Sequence, residues 1–259
     1  MIGIFDSGIG GLTVARAVKQ TLPRRDIIYL GDTARTPYGN KTAKTVVKYA
    51  LENTEFLMRQ GAKIIVMACN TASSVAFEAV REEFDAPVFE VISPAVEAAL
   101  EASRKGAIGV IGTRATIRSG VYEKMIKARL PDAGVHSAPC PLLVPLVEEG
   151  WLKKPETAMI VKKYLHPLKT RQIDTLILGC THYPVLKDLI QRKIGKRVRV
   201  IDSAESSARS IARTLEENPD LAARLGKNGT LRVCVSDLTE QFKKTARGLL
   251  KMNVSFETV

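Results

Sequence analysis

The chain has 259 residues, of which 45% are hydrophobic, 25% are charged and only 5% are aromatic. This length allows one large domain or two compact ones, and the composition is that of an ordinary globular protein. So few aromatic side chains argue against a platform that stacks the bases of single-stranded nucleic acid. No apolar run approaches the length of a membrane-spanning helix. The chain starts with a strand-like run and shows no signal peptide, so we expect a cytoplasmic protein with no membrane partner.

The formal net charge is +12, and the sequence pI is about 9.6. The basic residues are spread along the chain among acidic ones, which is typical of solvated helix faces that keep a protein soluble. A nucleic-acid surface is the alternative, since this pI meets the crude electrostatic criterion for one. We favour the first interpretation and expect no nucleic-acid partner. A basic field also attracts small anionic substrates.

Strand-like and helical patterns alternate along almost the whole chain. Strand-like runs lie near residues 2–5, 27–31, 63–68, 88–91, 107–111, 174–178, 198–201 and 231–235. Helical patterns fill most of the gaps, for example at 42–60, 72–84 and 203–217. Such alternation predicts an α/β fold with parallel sheets built from βαβ units.

An internal repeat predicts two similar domains. The segment IGIFDS at 2–7 resembles IGVIGT at 108–113, and a cysteine that ends a strand-like run follows each of them, at Cys69 and Cys180. The two pairs are separated by nearly equal distances and keep the same order. We therefore expect two α/β domains that face one another across a cleft.

The domain limits follow from two places where the chain changes character, at residues 93–94 and 202–203. We expect an N-terminal α/β domain made of residues 1–95 together with 207–259. The C-terminal segment would return to this domain and complete it. Residues 96–206 would form the second α/β domain.

The two cysteine segments carry the strongest functional signal. They read IIVMACNTAS at 64–73 and TLILGCTHYP at 175–184. Each aliphatic run is typical of a buried parallel strand, and each cysteine stands where a helix would start. Both thiols would then lie at the carboxyl edge of a sheet, where open α/β folds bind ligands. Helix N-termini lower the pKa of a thiol, so we expect both Cys69 and Cys180 to be catalytic.

Two loops at strand ends add polar groups to the same edge. The first, DSGIGGLT at 6–13, is not a dinucleotide fingerprint, because Thr13 stands where the last glycine of GxGxxG would be. Its Asp6 is either a helix cap or a catalytic-site acid. The second loop, GDTARTPYG at 31–39, is either a plain turn or a site loop that presents the hydroxyl of Tyr38.

The remaining cysteines and histidines are weaker candidates. Cys140 and Cys234 are interpreted as inert, small apolar residues, and the four cysteines make no CxxC pair or disulfide framework. His182, two residues after Cys180, either caps a helix or exchanges a proton with that thiol. Glu148 follows a proline-bounded apolar run and means little alone. Zinc fits poorly because neither CxxC nor HExxH spacing occurs.

Five segments together resemble the glutamate racemase family. They are DSGIGG at 6–11, GDTARTPYG at 31–39, CNT at 69–71, VPLVE at 144–148 and GCTHYP at 179–184. The resemblance extends from residue 1 to about residue 210. Aspartate and hydantoin racemases of the wider superfamily share the paired cysteines but not this whole set of loops.

The resemblance implies two flavodoxin-like domains with parallel sheets, related by a pseudo-twofold axis, with the active site in the cleft between them. It implies racemisation of L- and D-glutamate without a cofactor or metal, which would supply D-glutamate for peptidoglycan, and we expect a homodimer. The implied catalytic residues are Cys69 and Cys180, with Asp6 and Asp32 assisting around Cys69, and Glu148 and His182 assisting around Cys180. The implied substrate-binding residues are Asp6, Ser7, Tyr38, Gly39, Asn70, Thr71, Thr181 and His182. Activity without a cell-wall precursor is expected too, since the first strand-like run begins at Ile2 and leaves no room for the N-terminal extension of activator-dependent members.

Inverting an α-carbon requires a proton to leave one face and another to arrive on the opposite face. Two bases on opposite faces do this without turning the carbanion over, and two equivalent thiols suit a reaction between enantiomers of equal free energy. No lysine stands in a context that suggests a pyridoxal Schiff base. The alternatives are an aspartate or other amino-acid racemase of the same superfamily, and a non-catalytic two-lobed binding protein.

Overall fold

The structure is a computed structural model that describes residues 1–252 and 254–259. Ten strands occur in these residues: β1 (Ile2–Asp6), β2 (Ile27–Gly31), β3 (Ile64–Met67), β4 (Val88–Glu90), β5 (Ala107–Gly112), β6 (Gly134–Pro139), β7 (Thr175–Gly179), β8 (Arg199–Asp202), β9 (Leu231–Val235) and β10 (Phe256–Thr258). All pairings between them are parallel. The predicted α/β class with parallel sheets is confirmed.

The strands form two sheets with related strand orders. The first sheet runs β10-β9-β2-β1-β3-β4, and the second runs β6-β5-β7-β8. Without β9 and β10, the order of the first sheet is β2-β1-β3-β4, which corresponds to the order β6-β5-β7-β8 of the second sheet. In both sheets the second strand pairs with one side of the first strand, and the third and fourth strands lie on its other side. The internal repeat seen in the sequence therefore corresponds to a repeated strand order. We call the first sheet with its helices the first lobe, and the second sheet with its helices the second lobe.

Helices cover both faces of each sheet. They are α1 (Leu12–Thr21), α2 (Ala43–Arg59), α3 (Asn70–Glu83), α4 (Ile92–Ala102), α5 (Arg114–Arg118), α6 (Val121–Arg129), α7 (Leu143–Glu148), α8 (Pro155–Thr170), α9 (Lys187–Ile194), α10 (Ser203–Glu217), α11 (Pro219–Ala223) and α12 (Glu240–Leu250). Short 3-10 helices lie at Thr33–Arg35, Tyr38–Asn40 and Tyr183–Leu186. None of the helices in the described residues is long and apolar enough to cross a membrane.

Alternation along the central strands places apolar side chains on both faces of each sheet. In β3, Ile64 and Val66 belong to one buried cluster, while Ile65 and Met67 belong to another. Because successive side chains of a strand point to opposite faces, a strand covered on both sides must be apolar throughout. This explains why the strands that end at the two cysteines read as continuous aliphatic runs.

Helix α10 connects the lobes. It follows β8 of the second sheet, and packs against both α1 of the first lobe and α4 of the second. Strands β9 and β10 lie at one edge of the first sheet, next to β2. The domain limits drawn from the sequence, 1–95 with 207–259 and 96–206, stay a prediction.

Candidate active site

The carboxyl ends of both sheets converge on one small cavity. Its volume is about 20 Å³, which is little more than the space for one water molecule. Nine of the sequence-predicted residues line it, and these are Ser7, Tyr38, Gly39, Cys69, Asn70, Thr71, Cys180, Thr181 and His182. Pro37, Thr113 and Val144 complete the lining. One cysteine from each lobe therefore faces the same closed space.

Cys69 lies between β3 and α3, at the N-cap position of that helix. Its side chain is 5% exposed, and its Sγ donates to Ser7 Oγ at 3.7 Å. Burial, followed by the negative charge of Asp6, raises the pKa of the Cys69 thiol to about 12. The backbone N–H of Ala72 and the hydroxyl of Ser7 oppose this only in part. The sequence predicted a lowered pKa; for Cys69 that prediction is wrong, because burial outweighs the helix N-terminus.

Cys180 ends the corresponding strand of the second lobe and is also 5% exposed. Its Sγ lies 3.8 Å from Nδ1 of His182, whose Nε2 lies 3.2 Å from Oε1 of Glu148. Burial alone would lower the pKa of His182, but the hydrogen bonds with Cys180 and Glu148 raise it to about 10. The sulfur of Cys180 therefore faces an imidazole whose charged form is favoured. His182 thus connects Cys180 with Glu148, and a short 3-10 helix rather than an α-helix follows His182.

Asp6 lies beneath the cavity, fully buried. Its Oδ2 accepts hydrogen bonds from the backbone N–H groups of Gly8 (3.1 Å) and Gly11 (2.9 Å). Its Oδ1 accepts from the Thr181 hydroxyl of the other lobe at 3.3 Å. Burial raises the pKa of the Asp6 carboxyl, and the charge of His182 and these hydrogen bonds oppose the rise. Asp6 thus satisfies N–H groups of its own loop and also contacts the second lobe, and its catalytic role stays a prediction.

Asp32 lies behind Tyr38. Its carboxylate accepts hydrogen bonds from Arg35 Nε (2.7 Å), from Ser236 Oγ (3.2 Å) and from the Tyr38 hydroxyl. Asn53 donates to the same hydroxyl at 3.0 Å. Among the described residues, Asp32 has no hydrogen bond to Cys69, beside which the sequence analysis had put it. Its contacts orient Tyr38 instead.

A cluster of threonine hydroxyls joins the lobes and was missed by the sequence analysis. Thr71 Oγ1 of the first lobe lies 3.0 Å from Thr113 Oγ1 and 3.2 Å from Thr116 Oγ1 of the second, and the latter two lie 3.0 Å apart. Thr113 also lines the cavity. The repeat contained the signal for it, since the segment at 108–113 places Thr113 where the segment at 2–7 has Ser7.

The side-chain amide of Asn70 has a hydrogen-bond donor with no acceptor in the described residues. Its Oδ1 accepts from the Tyr122 hydroxyl at 2.6 Å, whereas its Nδ2 is buried and has no hydrogen-bond partner among the described residues. Buried polar groups are almost always paired, so an unpaired amide in a cavity wall is suited to a ligand acceptor. No group of three or more His, Cys, Asp or Glu side chains could hold a metal ion in the described part of the chain.

Two α/β lobes that close on a paired-thiol cavity define an enzyme of the racemase class, an isomerase. The family model described as Asp/Glu/Hydantoin racemase matches residues 10–211. A glutamate racemase from Persephonella marina is 48% identical over 243 residues, covering 94% of this chain and 90% of the relative. The chain belongs to the glutamate racemases of this family.

Solved structures agree with this assignment. Glutamate racemase isoform RacE1 from Bacillus anthracis superposes with a TM-score of 0.94 at 38% identity, covering 100% of this chain and 97% of that one. Glutamate racemase from Francisella tularensis, solved in complex with D-glutamate, superposes with a TM-score of 0.91 at 37% identity, covering 100% and 96%. The two-sheet architecture is therefore that of the glutamate racemases.

Proposed function

We propose that this enzyme interconverts L- and D-glutamate without a cofactor, by proton transfer between two bases, Cys69 and Cys180. The observation that supports this most is the position of one buried thiol from each lobe in a single small cavity. A relative of 37% identity binds D-glutamate, which supports the choice of substrate. The product D-glutamate would supply peptidoglycan synthesis in the cytoplasm.

The surroundings of the thiols divide the work between them. In the direction from L-glutamate, Cys180 is the base, because the imidazole of His182 lies beside it and Glu148 holds that imidazole. Cys69 is the thiol, because burial and Asp6 raise its pKa to about 12. Cys180 then removes the α-proton from L-glutamate, and Cys69 delivers its proton to the opposite face. The reverse reaction starts from the other protonation state of the pair.

The carboxylates of the substrate need donors, and the cavity has several. We propose that Asn70 Nδ2, the only lining amide without a partner in the described residues, donates to one of them. The hydroxyls of Ser7, Thr71 and Thr181 lie around the same space. The carbanion formed at the α-carbon would then be stabilised by neutral dipoles in a space that excludes water.

Three of the predicted catalytic residues act by positioning other residues. Glu148 positions His182, Asp32 positions Tyr38, and Asp6 fixes the loop that carries Ser7 and Gly8. We keep the role of a substrate contact for Tyr38 and Gly39, which line the cavity. The homodimer expected from the sequence stays a prediction, and light scattering on the eluted peak of a sizing column would measure it.

Circular dichroism of reactions started from each enantiomer of glutamate and of aspartate tests the proposal. We expect D- and L-glutamate to reach the same equal mixture in the presence of EDTA, with no pyridoxal phosphate or nicotinamide added. Aspartate should react far more slowly. Faster racemisation of aspartate than of glutamate would show that aspartate is the substrate. Activity restored only by an added cofactor would contradict the mechanism.

A further inference from the structure

A second, larger cavity lies at the opposite edge of the second sheet from the thiols. Its volume is about 1190 Å³, and it opens where β5, β7 and β8 begin. Seven lysine or arginine side chains line it, against two carboxylates, Glu101 and Asp174. We call this cavity the basic cleft. It has no part in the racemase mechanism, whose residues all lie at the carboxyl edge of the sheet.

The cations of the basic cleft come from several separate segments. Arg104 and Lys105 precede β5, and Lys169 lies in the last turn of α8. Lys196 and Arg197 lie in the turn before β8. The fold therefore brings together basic residues that are far apart in sequence, so this is not the effect of one basic run.

Arg199 and Arg209 complete the set, and all seven cations are exposed. None of the seven forms an ion pair with a carboxylate in the described residues. Asp174 is already satisfied by other donors. Its Oδ1 accepts from Ser103 Oγ and Thr175 Oγ1 at 2.7 and 2.9 Å, and its Oδ2 accepts from the backbone N–H groups of Arg104 and Lys105 at 2.9 and 2.7 Å.

Helix ends explain part of this charge but not all of it. Helices α4, α8 and α9 all end at this edge, at Ala102, Thr170 and Ile194. Each C-terminus contributes about half a negative charge, which favours nearby cations. Three such ends balance fewer than two of the seven cations. Glu101 and Asp174 contribute two further negative charges, so about half of the positive charge in the basic cleft is left for a ligand.

We propose that the basic cleft binds an anion with two or more linked phosphate groups, either an inorganic polyphosphate or the diphosphate of a nucleotide. Arg and Lys side chains are the donors that phosphate oxygens prefer in proteins. A cleft of 1190 Å³ with cations on several sides exceeds what a single phosphate can contact at once. The concave shape and scattered cations suit a small flexible anion better than a rigid duplex.

Isothermal titration of the intact enzyme with tripolyphosphate, pyrophosphate, ADP and orthophosphate tests this, at near-physiological salt. We expect saturable binding with one site per chain for the linked phosphates, and much weaker binding of orthophosphate. Tighter binding of ADP than of pyrophosphate would show that the ligand is a nucleotide diphosphate. Equal binding would show that the cleft recognises the linked phosphates alone. Saturating glutamate should leave the affinity unchanged, since the active site lies at the other edge of the sheet.

Two charge-reversal pairs and one control locate the site. Lys196→Glu with Arg197→Glu, and separately Arg104→Glu with Lys105→Glu, should each weaken binding at least about tenfold, since each pair removes two charge-assisted contacts. Lys162→Glu with Lys163→Glu on α8 changes the net charge equally at exposed positions outside the cleft. Racemase activity and thermal melting show whether each variant is folded.

Three results would overturn the proposal. One is equal weakening in the α8 control, which would indicate binding to net charge alone. Another is displacement of the phosphate by glutamate, which would place it in the active site. The third is binding of a labelled DNA duplex without binding of tripolyphosphate, which would indicate a nucleic-acid surface.

Discussion

The two thiols of the cavity have different surroundings, although the sequence presents them as equivalents. Cys180 lies beside a histidine whose pKa is raised to about 10, whereas Cys69 lies above a buried carboxylate and its own pKa is raised to about 12. In the proposed mechanism an asymmetric pair still catalyses both directions, because one thiol takes up the α-proton while the other gives its proton to the product, so the two groups exchange roles at each turnover.

Removing either base should stop racemisation in both directions. We expect Cys69→Ala and Cys180→Ala each to lower kcat by about 10²–10⁴-fold or more, since each removes one of the two acid-base groups. Polarimetry or circular dichroism from each enantiomer measures this. Cys234→Ala is the control, because that cysteine is buried in the first lobe away from the cavity. A near-wild-type rate in either cavity variant would contradict the two-base mechanism.

His182 should make folding stability depend on pH in a defined window. Its folded pKa, about 10, lies above the unfolded value near 6.5, so it contributes stability that is full below pH 6.5 and is lost as pH rises toward 10. We therefore expect the loss of unfolding free energy in His182→Gln to be larger at pH 6 than at pH 9. Urea denaturation at the two pH values measures it.

The matched control for this pH effect is His166→Gln, at an exposed position on α8. Its effect on unfolding free energy should be small, because the side chain is exposed. If His182→Gln destabilised the protein equally at pH 6 and pH 9, the contacts with Cys180 and Glu148 would not stabilise the charged imidazole.

At the scale of elements, the loop between β1 and α1 fits closely against the loop that follows β7. A Cβ at Gly10 would lie 2.5 Å from both His182 Nδ1 and Thr181 Oγ1. We expect Gly10→Ala to keep the fold of each lobe and to lower kcat/KM by about tenfold or more, since overpacking of the closed state costs about 1–3 kcal/mol. Steady-state kinetics with thermal melting separates the two effects.

Gly248→Ala is the control for this substitution. It lies in α12 with no atom within 4 Å of the new Cβ, so activity should be unchanged and stability should rise by about 0.5–1 kcal/mol. Wild-type kinetics in Gly10→Ala would mean that the loops separate during catalysis more than the structure shows.

The eight strands predicted from the sequence all occur, because each is an apolar run in a covered sheet. Two strands were not predicted. Strand β6, GVHSAP, lies at an edge of the second sheet and is only partly buried, so it lacks the apolar pattern. Strand β10 lies at an edge of the first sheet, and its three residues are too few to show a pattern.

The candidate site was predictable where its residues lie next to one another in sequence. The segments around Cys69 and Cys180 contain six of the nine predicted lining residues, and the loops at 6–13 and 31–39 contain the other three. The sequence did not show which group each polar side chain forms a hydrogen bond with. Asp32 binds Tyr38 and Ser236 rather than the thiol, and Thr113 meets Thr71 across the lobes. Such contacts depend on tertiary packing, which periodicity does not encode.

At the scale of the whole molecule, the cavity is too small for its proposed substrate. A space of about 20 Å³ holds one water at most, and both thiols are 5% exposed. Glutamate can therefore enter only when the lobes separate. Contacts that cross between them then oppose the opening of the cavity, and they include the threonine cluster, the bond from Tyr122 to Asn70, the bond from Thr181 to Asp6, and the bond from the Thr13 hydroxyl to the Thr181 carbonyl.

The rate at which the two thiols are alkylated measures how often the cavity opens. Thr116 is buried, does not line the cavity, and bonds to Thr71 of the other lobe. Thr116→Val keeps the shape but removes the hydroxyl, which is worth about 1 kcal/mol or a roughly fivefold change in the open fraction. We expect iodoacetamide to alkylate Cys69 and Cys180 about fivefold faster in this variant, as followed by mass spectrometry. Thr170→Val, an exposed position on α8, should leave the alkylation rates unchanged, and glutamate should protect both thiols in every variant. An unchanged alkylation rate in Thr116→Val would show that the threonine cluster does not hold the lobes together.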